Sequence, residues 1–137
     1  MGYHFSKTLA MPFDAAIAAT MATLQRHGFG VLTDIDVRAT LQKKLNVAFR
    51  PYRILGACNP GMAFQALQVE DKIGTMLPCN VILQQRDDGT VEVSAVDPVA
   101  SMQAIDNPKL AAIASQVRGM LQQVIADLGN EVPSPHR

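Results

Sequence analysis

Two short stretches of this sequence place a thiol beside a carboxamide: Ala57-Cys58-Asn59-Pro60 and, twenty-one residues further on, Pro78-Cys79-Asn80-Val81. A thiolate is a nucleophile and a soft metal ligand, and a carboxamide both donates and accepts hydrogen bonds. If folding sets the two stretches side by side, two sulfurs and two amides converge on one rim, where a soft metal or a small polar ligand could be held. A zinc centre asks for four N or S ligands in short-spaced pairs, and neither the number nor the spacing fits here. The competing explanation is packing. Free cysteine is among the most buried residue types and acts as a small hydrophobe, and an asparagine before proline at a strand end is a common backbone cap. Asn80 opens a strand with apolar followers, so its amide must find a partner or face solvent, which makes it the stronger candidate for a functional polar group.

Other residue types offer less. Asp34 and Asp36 lie two apart on a strand and so share a face, the arrangement that can separate two carboxyl pKa values for acid and base work. Arg38 on that face, with Lys43 and Lys44 beyond it, offers ordinary charge balance instead. His27 falls in the last turn of a helix, where a cation suits the dipole, and His4 and His136 stand near the termini with no nucleophile at motif spacing. Gly28-Phe29-Gly30 lacks the further glycine of a dinucleotide loop. Seven methionines, Met21, Met62, Met76, Met102 and Met120 among them, would suit an adaptable binding surface, but Met21 and Met120 lie on apolar helix stripes, where methionine fills gaps in a core poor in aromatics.

The elements that must position these groups follow from periodicity. Tyr3 to Leu9 reads as a strand. Pro12 stands at a helix start, Phe13, Ile17, Thr20, Met21 and Leu24 form one apolar stripe, and Gly28 supplies the left-handed C-terminal residue. Phe29, Val31, Ile35 and Val37 alternate with Gly30, Asp34, Asp36 and Arg38, which predicts a strand with the first set buried and the acidic set on the other face. A short amphipathic helix follows over 38–46, a strand from Tyr52 to Ala57, a helix over about 61–70, and a hairpin of Cys79–Arg86 and Thr90–Val96 turning at Asp88-Gly89. Asn107 as cap, Pro108 as first residue and Gly129 as stop bracket a long helix with a continuous stripe from Leu110 to Leu128. Laying the two long helices on one face of a mostly antiparallel sheet buries both stripes, an α+β two-layer sandwich in a single domain over 1–132, with a disordered tail over 133–137.

Composition agrees with that plan. The chain has 137 residues, 48% of them apolar and 18% charged, enough for one ordinary core. Twelve basic and twelve acidic residues leave no net charge, and the absence of Trp leaves few stacking platforms, so nucleic acid is not the expected partner. No apolar run is long enough to span a bilayer and no secretory leader is read, so the expectation is a cytoplasmic protein with no membrane partner and with reduced cysteines.

Taken together, the block Tyr52-Arg53-Ile54-Leu55-Gly56-Ala57-Cys58-Asn59-Pro60, the later Ile73-Gly74 with Leu77-Pro78-Cys79-Asn80-Val81, the stretch from Gly28 to Thr33 with Asp36, and Asp97-Pro98 resemble the domain of unknown function 302 family. The resemblance implies a compact α+β fold similar to the TATA-binding-protein-like class, without implying DNA binding. It also implies a motif map of Asp36, Cys58, Asn59, Pro60, Pro78, Cys79 and Asn80; it carries over no catalytic role, and the cofactor is unknown. Three functions remain open at this level. The first is a module binding a small ligand or soft metal at a rim formed by Cys58, Asn59, Cys79 and Asn80, with Asp36 as a further ligand-binding candidate. The second is a thiol-based redox enzyme, which needs a cation such as Arg53 or Lys72 beside one cysteine. The third is a structural domain that forms a homodimer through an apolar face.

Overall fold

The computed structural model describes residues 2–129 of the chain, so the tail over 133–137 lies outside the described residues. The first strand, β1 (His4–Leu9), leads into helix α1 (Phe13–Arg26), for which Pro12 serves as N-cap rather than first residue. Strand β2 (Gly30–Asp36) runs directly into α2 (Val37–Leu45), and β3 (Tyr52–Cys58) into α3 (Pro60–Val69). A 3₁₀ turn (Ile73–Met76) precedes the hairpin of β4 (Cys79–Gln85) and β5 (Val91–Val96). A one-turn helix α4 (Pro98–Ser101) and the long α5 (Pro108–Asp127) complete the fold. The 3₁₀ turn and α4 are too short to leave a periodic signal in the sequence.

The five strands form one antiparallel sheet in the order β1-β5-β4-β3-β2. One face carries Leu55, Val81, Leu83, Val91 and Val93, all buried against Ala16, Ile17 and Leu24 of α1 and Val117, Leu121 and Val124 of α5. Each such side chain contributes about 1.5–3 kcal/mol on leaving water, which makes this layer contact the main stabilising term of the fold. Among the described residues no buried apolar cluster covers the opposite face. It presents Ile54, Ile82 and Val96, half-buried among polar neighbours, and Tyr3 stands 69% exposed beside it. Lys7 of β1 ties the sheet to the helix layer, its Nζ donating to the Ala126 carbonyl at 3.0 Å, and within that layer His27 at the end of α1 donates through Nε2 to Asp127 Oδ2 of α5 at 2.6 Å.

Strand β2 departs from the alternation of its sequence. It pairs Val31 with Ala57, then shifts register so that Thr33 faces Gly56 and Asp34 faces Leu55. Inserting one residue into a period of two exchanges the faces of everything beyond it. Asp34 and Asp36 therefore share the helix-side face with Leu55 and Arg53, whereas Ile35, expected inside with Val31, turns to the uncovered face and is 48% exposed. Arg38, expected on the same strand face as the aspartates, belongs to α2.

The bulge packs tightly against its neighbours at one point. A Cβ on Gly56 would overlap Thr33 Oγ1 and lie 2.6 Å from Pro78 Cγ, so only glycine fits there. Gly56→Ala is expected to cost about 1–3 kcal/mol by overpacking, read as a lower midpoint in urea. Gly119→Ala, on an α5 position where nothing lies within 4 Å, is expected to gain up to about 1 kcal/mol of helix propensity. Equal stability of Gly56→Ala and the parent would show that Thr33 and Pro78 do not close over that position.

Candidate functional site

The two cysteines reach one place by different routes. β3 and β4 pair with Ala57 opposite Cys79, so the C-terminal end of one strand lies beside the N-terminal end of the other. Cys79 takes the core-facing side and is 8% exposed, while Cys58 ends β3, pairs with Gly30 of β2 and is half-buried. Both are free thiols, and both line a cavity of about 40 Å³ at this rim of the sheet.

Local chemistry fixes the chain around them. Asn59 has extended backbone angles and caps α3, its Oδ1 accepting from the Met62 N–H at 3.1 Å, with Pro60 occupying the first turn where no N–H is needed. That cap turns Met62 and Ala63 toward the cavity, and the Asn59 amide packs where a Cβ on Gly28 would come within 3.1 Å of its Nδ2. Gly28 also has φ of 86°, a conformation that glycine adopts without strain. Asp97 caps α4 in the same way, accepting from Val99 N at 2.9 Å, and receives Arg118 Nε at 3.1 Å; α4 ends at Met102, which forms another part of the wall.

The cavity lies at a seam. Phe29, Ala57, Cys79 and Val117 belong to the main apolar cluster beneath the sheet, whereas Ala66, Met102, Leu110 and Ala114 belong to a second cluster between α3 and α5. Interiors normally pack to crystal-like density, and here the alanines at 63, 66 and 114 stop short of filling the gap. No Lys, Arg, His, Asp or Glu lines it, and among the described residues no three His, Cys, Asp or Glu converge to hold a metal. Burial in this apolar wall pushes the Cys79 thiol up to about 11, and the charge of Cys58 adds to the rise.

Of the residues singled out in the sequence, Cys58, Asn59 and Cys79 meet at this cavity. Asn80 does not join them: it sits opposite Gly56 on the uncovered face, in an open groove of about 400 Å³ with Tyr52, Ile82, Gln84 and Ser94. Asp36 lies at the other end of β2, where its Oδ1 accepts from Ala39 N at 2.9 Å as the cap of α2. Asp34 is held there by Arg53, which donates from Nε at 2.8 Å and from Nη2 at 2.7 Å; these hydrogen bonds keep the Asp34 carboxyl below its ordinary range. Arg53 is thus engaged away from the thiols, and Lys72 is an exposed partner of Asp71. The sequence offers Met62 and Met102 only as members of a methionine-rich set suited to an adaptable binding surface, and it gives no signal for the three alanines.

Comparison with known proteins places this geometry in a family. The family model described as Domain of unknown function DUF302 matches residues 5–128. A solved structure of the uncharacterized conserved protein DUF302 from Bacillus stearothermophilus superposes with a TM-score of 0.87 at 26% sequence identity, covering 93% of this chain and 99% of that one. No curated protein matches the chain.

The buried thiol carries a pH signature. Cys79 has its pKa raised from 9.0 to about 11 on folding, so its contribution is intact below pH 9 and is lost as pH rises toward 11, when only the unfolded chain ionises. Stability is expected to fall over that window by about 2–3 kcal/mol more in the parent than in Cys79→Ala, measured by urea unfolding at each pH. At pH 8 roughly one Cys79 in a thousand is thiolate, so alkylation followed by mass spectrometry should label it far more slowly in the native than in the denatured chain. Rapid native labelling of Cys79 would contradict the burial.

Proposed function

The chain belongs to the family of Domain of unknown function DUF302, and on that footing we propose that it is a binding module whose site is the sulfur-lined cavity at the β3–β4 rim, taking a ligand of very few heavy atoms. The observation that carries this reading is the convergence of two thiols from separate strands, with the Asn59 cap between them and α3, on one unfilled space of about 40 Å³. That volume decides the ligand class. Sites for metabolites and drug-sized molecules run from about 300 to 1,000 Å³, while one water needs roughly 10–15 Å³ by this measure. An ion, a dissolved gas or the tip of a small thiol fits, and a nucleotide or sugar does not.

Binding is favoured over thiol catalysis for an electrostatic reason. A nucleophilic cysteine needs a cation or helix dipole to stabilise its thiolate; Cys58 stands one residue before the cap of α3, but no cation lines the wall, Arg53 and Lys72 are paired elsewhere, and burial keeps Cys79 protonated. A homodimer is the second reading, supported by the uncovered sheet face with Tyr3 and Ile35 exposed on that side. Sedimentation equilibrium checks it: twice the chain mass supports the dimer, and the monomer mass ends it.

The binding reading is tested with xenon, a polarisable atom of the right size. Chemical-shift perturbation under xenon pressure is expected at Met62, Met102 and Ala114, with saturation, and Ala63→Val should abolish it by filling the space. At a hundred times its dissociation constant any true ligand adds about 2.7 kcal/mol to stability, so a thermal-shift series with small thiols and soft cations reads the same site. The reading fails if xenon leaves these signals unmoved and nothing in the series raises the melting temperature.

A further inference from the structure

The cavity is richer in sulfur than packing requires. Cys58 and Cys79 line it from the sheet, Met62 from the first turn of α3 and Met102 from the residue that follows α4, so four sulfur-bearing residues from four segments border about 40 Å³. The donors are uniformly soft. The single polar side chain in the wall is Asn59, and its carbonyl oxygen is already committed to the Met62 N–H. Hard cations require oxygen ligands, and the wall supplies none that is unengaged. Zinc prefers four thiolate or imidazole ligands, and only two such groups are present at the cavity. Thiolate together with thioether selects Cu(I). The backbone under both methionines is fixed: the Met62 N–H donates to the Asn59 cap, and Met102 is the C-cap of α4, whose first turn is capped by the buried Asp97.

We propose that this cavity is a Cu(I) site, with Cys58 and Cys79 bound as thiolates and the thioether sulfurs of Met62 and Met102 completing the coordination. The assignment rests on the binding reading above and names its ligand. Two S–H bonds are exchanged for two S–Cu bonds and two protons pass to solvent; copper enters and stays as Cu(I), so no electron moves. The cation offsets one of the two thiolate charges and leaves a net charge of −1 at the site, carried on soft, polarisable sulfur. Because the protons are released on binding, affinity rises with pH, by about tenfold per proton for each pH unit below the thiol range.

The test is an anaerobic titration of the full chain with Cu(I) in competition with bathocuproine disulfonate, followed by the absorbance of the copper chelate. The expected result is one Cu(I) per chain, loss of binding in the Cys58→Ser, Cys79→Ser double variant, and weakening of roughly tenfold or more in Met62→Leu and in Met102→Leu, which keep the volume and remove the sulfur. Sulfur-only coordination in the X-ray absorption spectrum of the copper-loaded chain supports the same assignment. Failure of the chain to take Cu(I) from the chelator overturns the proposal, as does wild-type affinity in both leucine variants when circular dichroism shows them folded. If xenon or a small thiol binds and Cu(I) does not, the metal assignment falls and the binding module stands; if xenon, the small thiols and the soft cations all fail to bind, both fall.

Discussion

The register between β3 and β4 is the constraint on which the rest depends. These strands occupy the interior of the sheet, and their pairing sets Leu55 opposite Val81 and Ala57 opposite Cys79 on the face that the helices cover. A slip of one residue would send Cys79 outward and bring Asn80 in, together with the loss of Val81 and Leu83 from the core. Each displaced aliphatic would forfeit about 1.5–3 kcal/mol, and a buried amide without a partner would cost a further 1–3 kcal/mol or so. The same alignment that fills the core is therefore the one that seats a thiol at its rim, and the site needs no separate device to hold it there.

Much of this was legible in advance, and the parts that were not share a physical origin. The long helices declared themselves through stripes and terminal signals: Asn107 does accept from Lys109 N and Leu110 N, and Gly28, Gly89 and Gly129 all have positive φ. Convergence of Cys58, Asn59 and Cys79 could be anticipated from two strand ends that carry the same dipeptide. Asn80 could not be placed correctly by that reasoning, because adjacent residues on a strand point to opposite faces and Cys79 had already claimed the inner one. The faces of β2 were misjudged for a related reason. A bulge is invisible to a period-two count, so Ile35 and the two aspartates were assigned the wrong way round. Met62, Met102 and the alanines around them escaped because a cavity is a property of what several distant segments fail to fill, and no single segment records it.

The seam between the two apolar clusters gives that failure a cause. One cluster is organised by the sheet with α1 and α5, the other by α3 packing on the first half of α5, where Asn107 ties the two helices by donating from Nδ2 to the Val69 carbonyl at 2.8 Å. Each group packs well within itself. Where they meet, the directions of α3 and α5 are already fixed by caps and by their own partners, so alanine side chains leave space that neither helix can move to close. An unfilled volume at such a junction costs stability, which makes its retention beside two thiols the feature that most needs a function.

The two outer strands of the sheet each carry a device whose effect reaches beyond the single molecule. β2 is bent out of register at its bulge and leads straight into α2, and β1 sends Lys7 across to the end of α5. The bulge breaks the flat ladder of unpaired N–H and C=O groups on the β2 side, and a lysine in β1 is a charge of the kind that discourages edge pairing. Both lower the tendency of crowded copies to add strand by strand into a fibril.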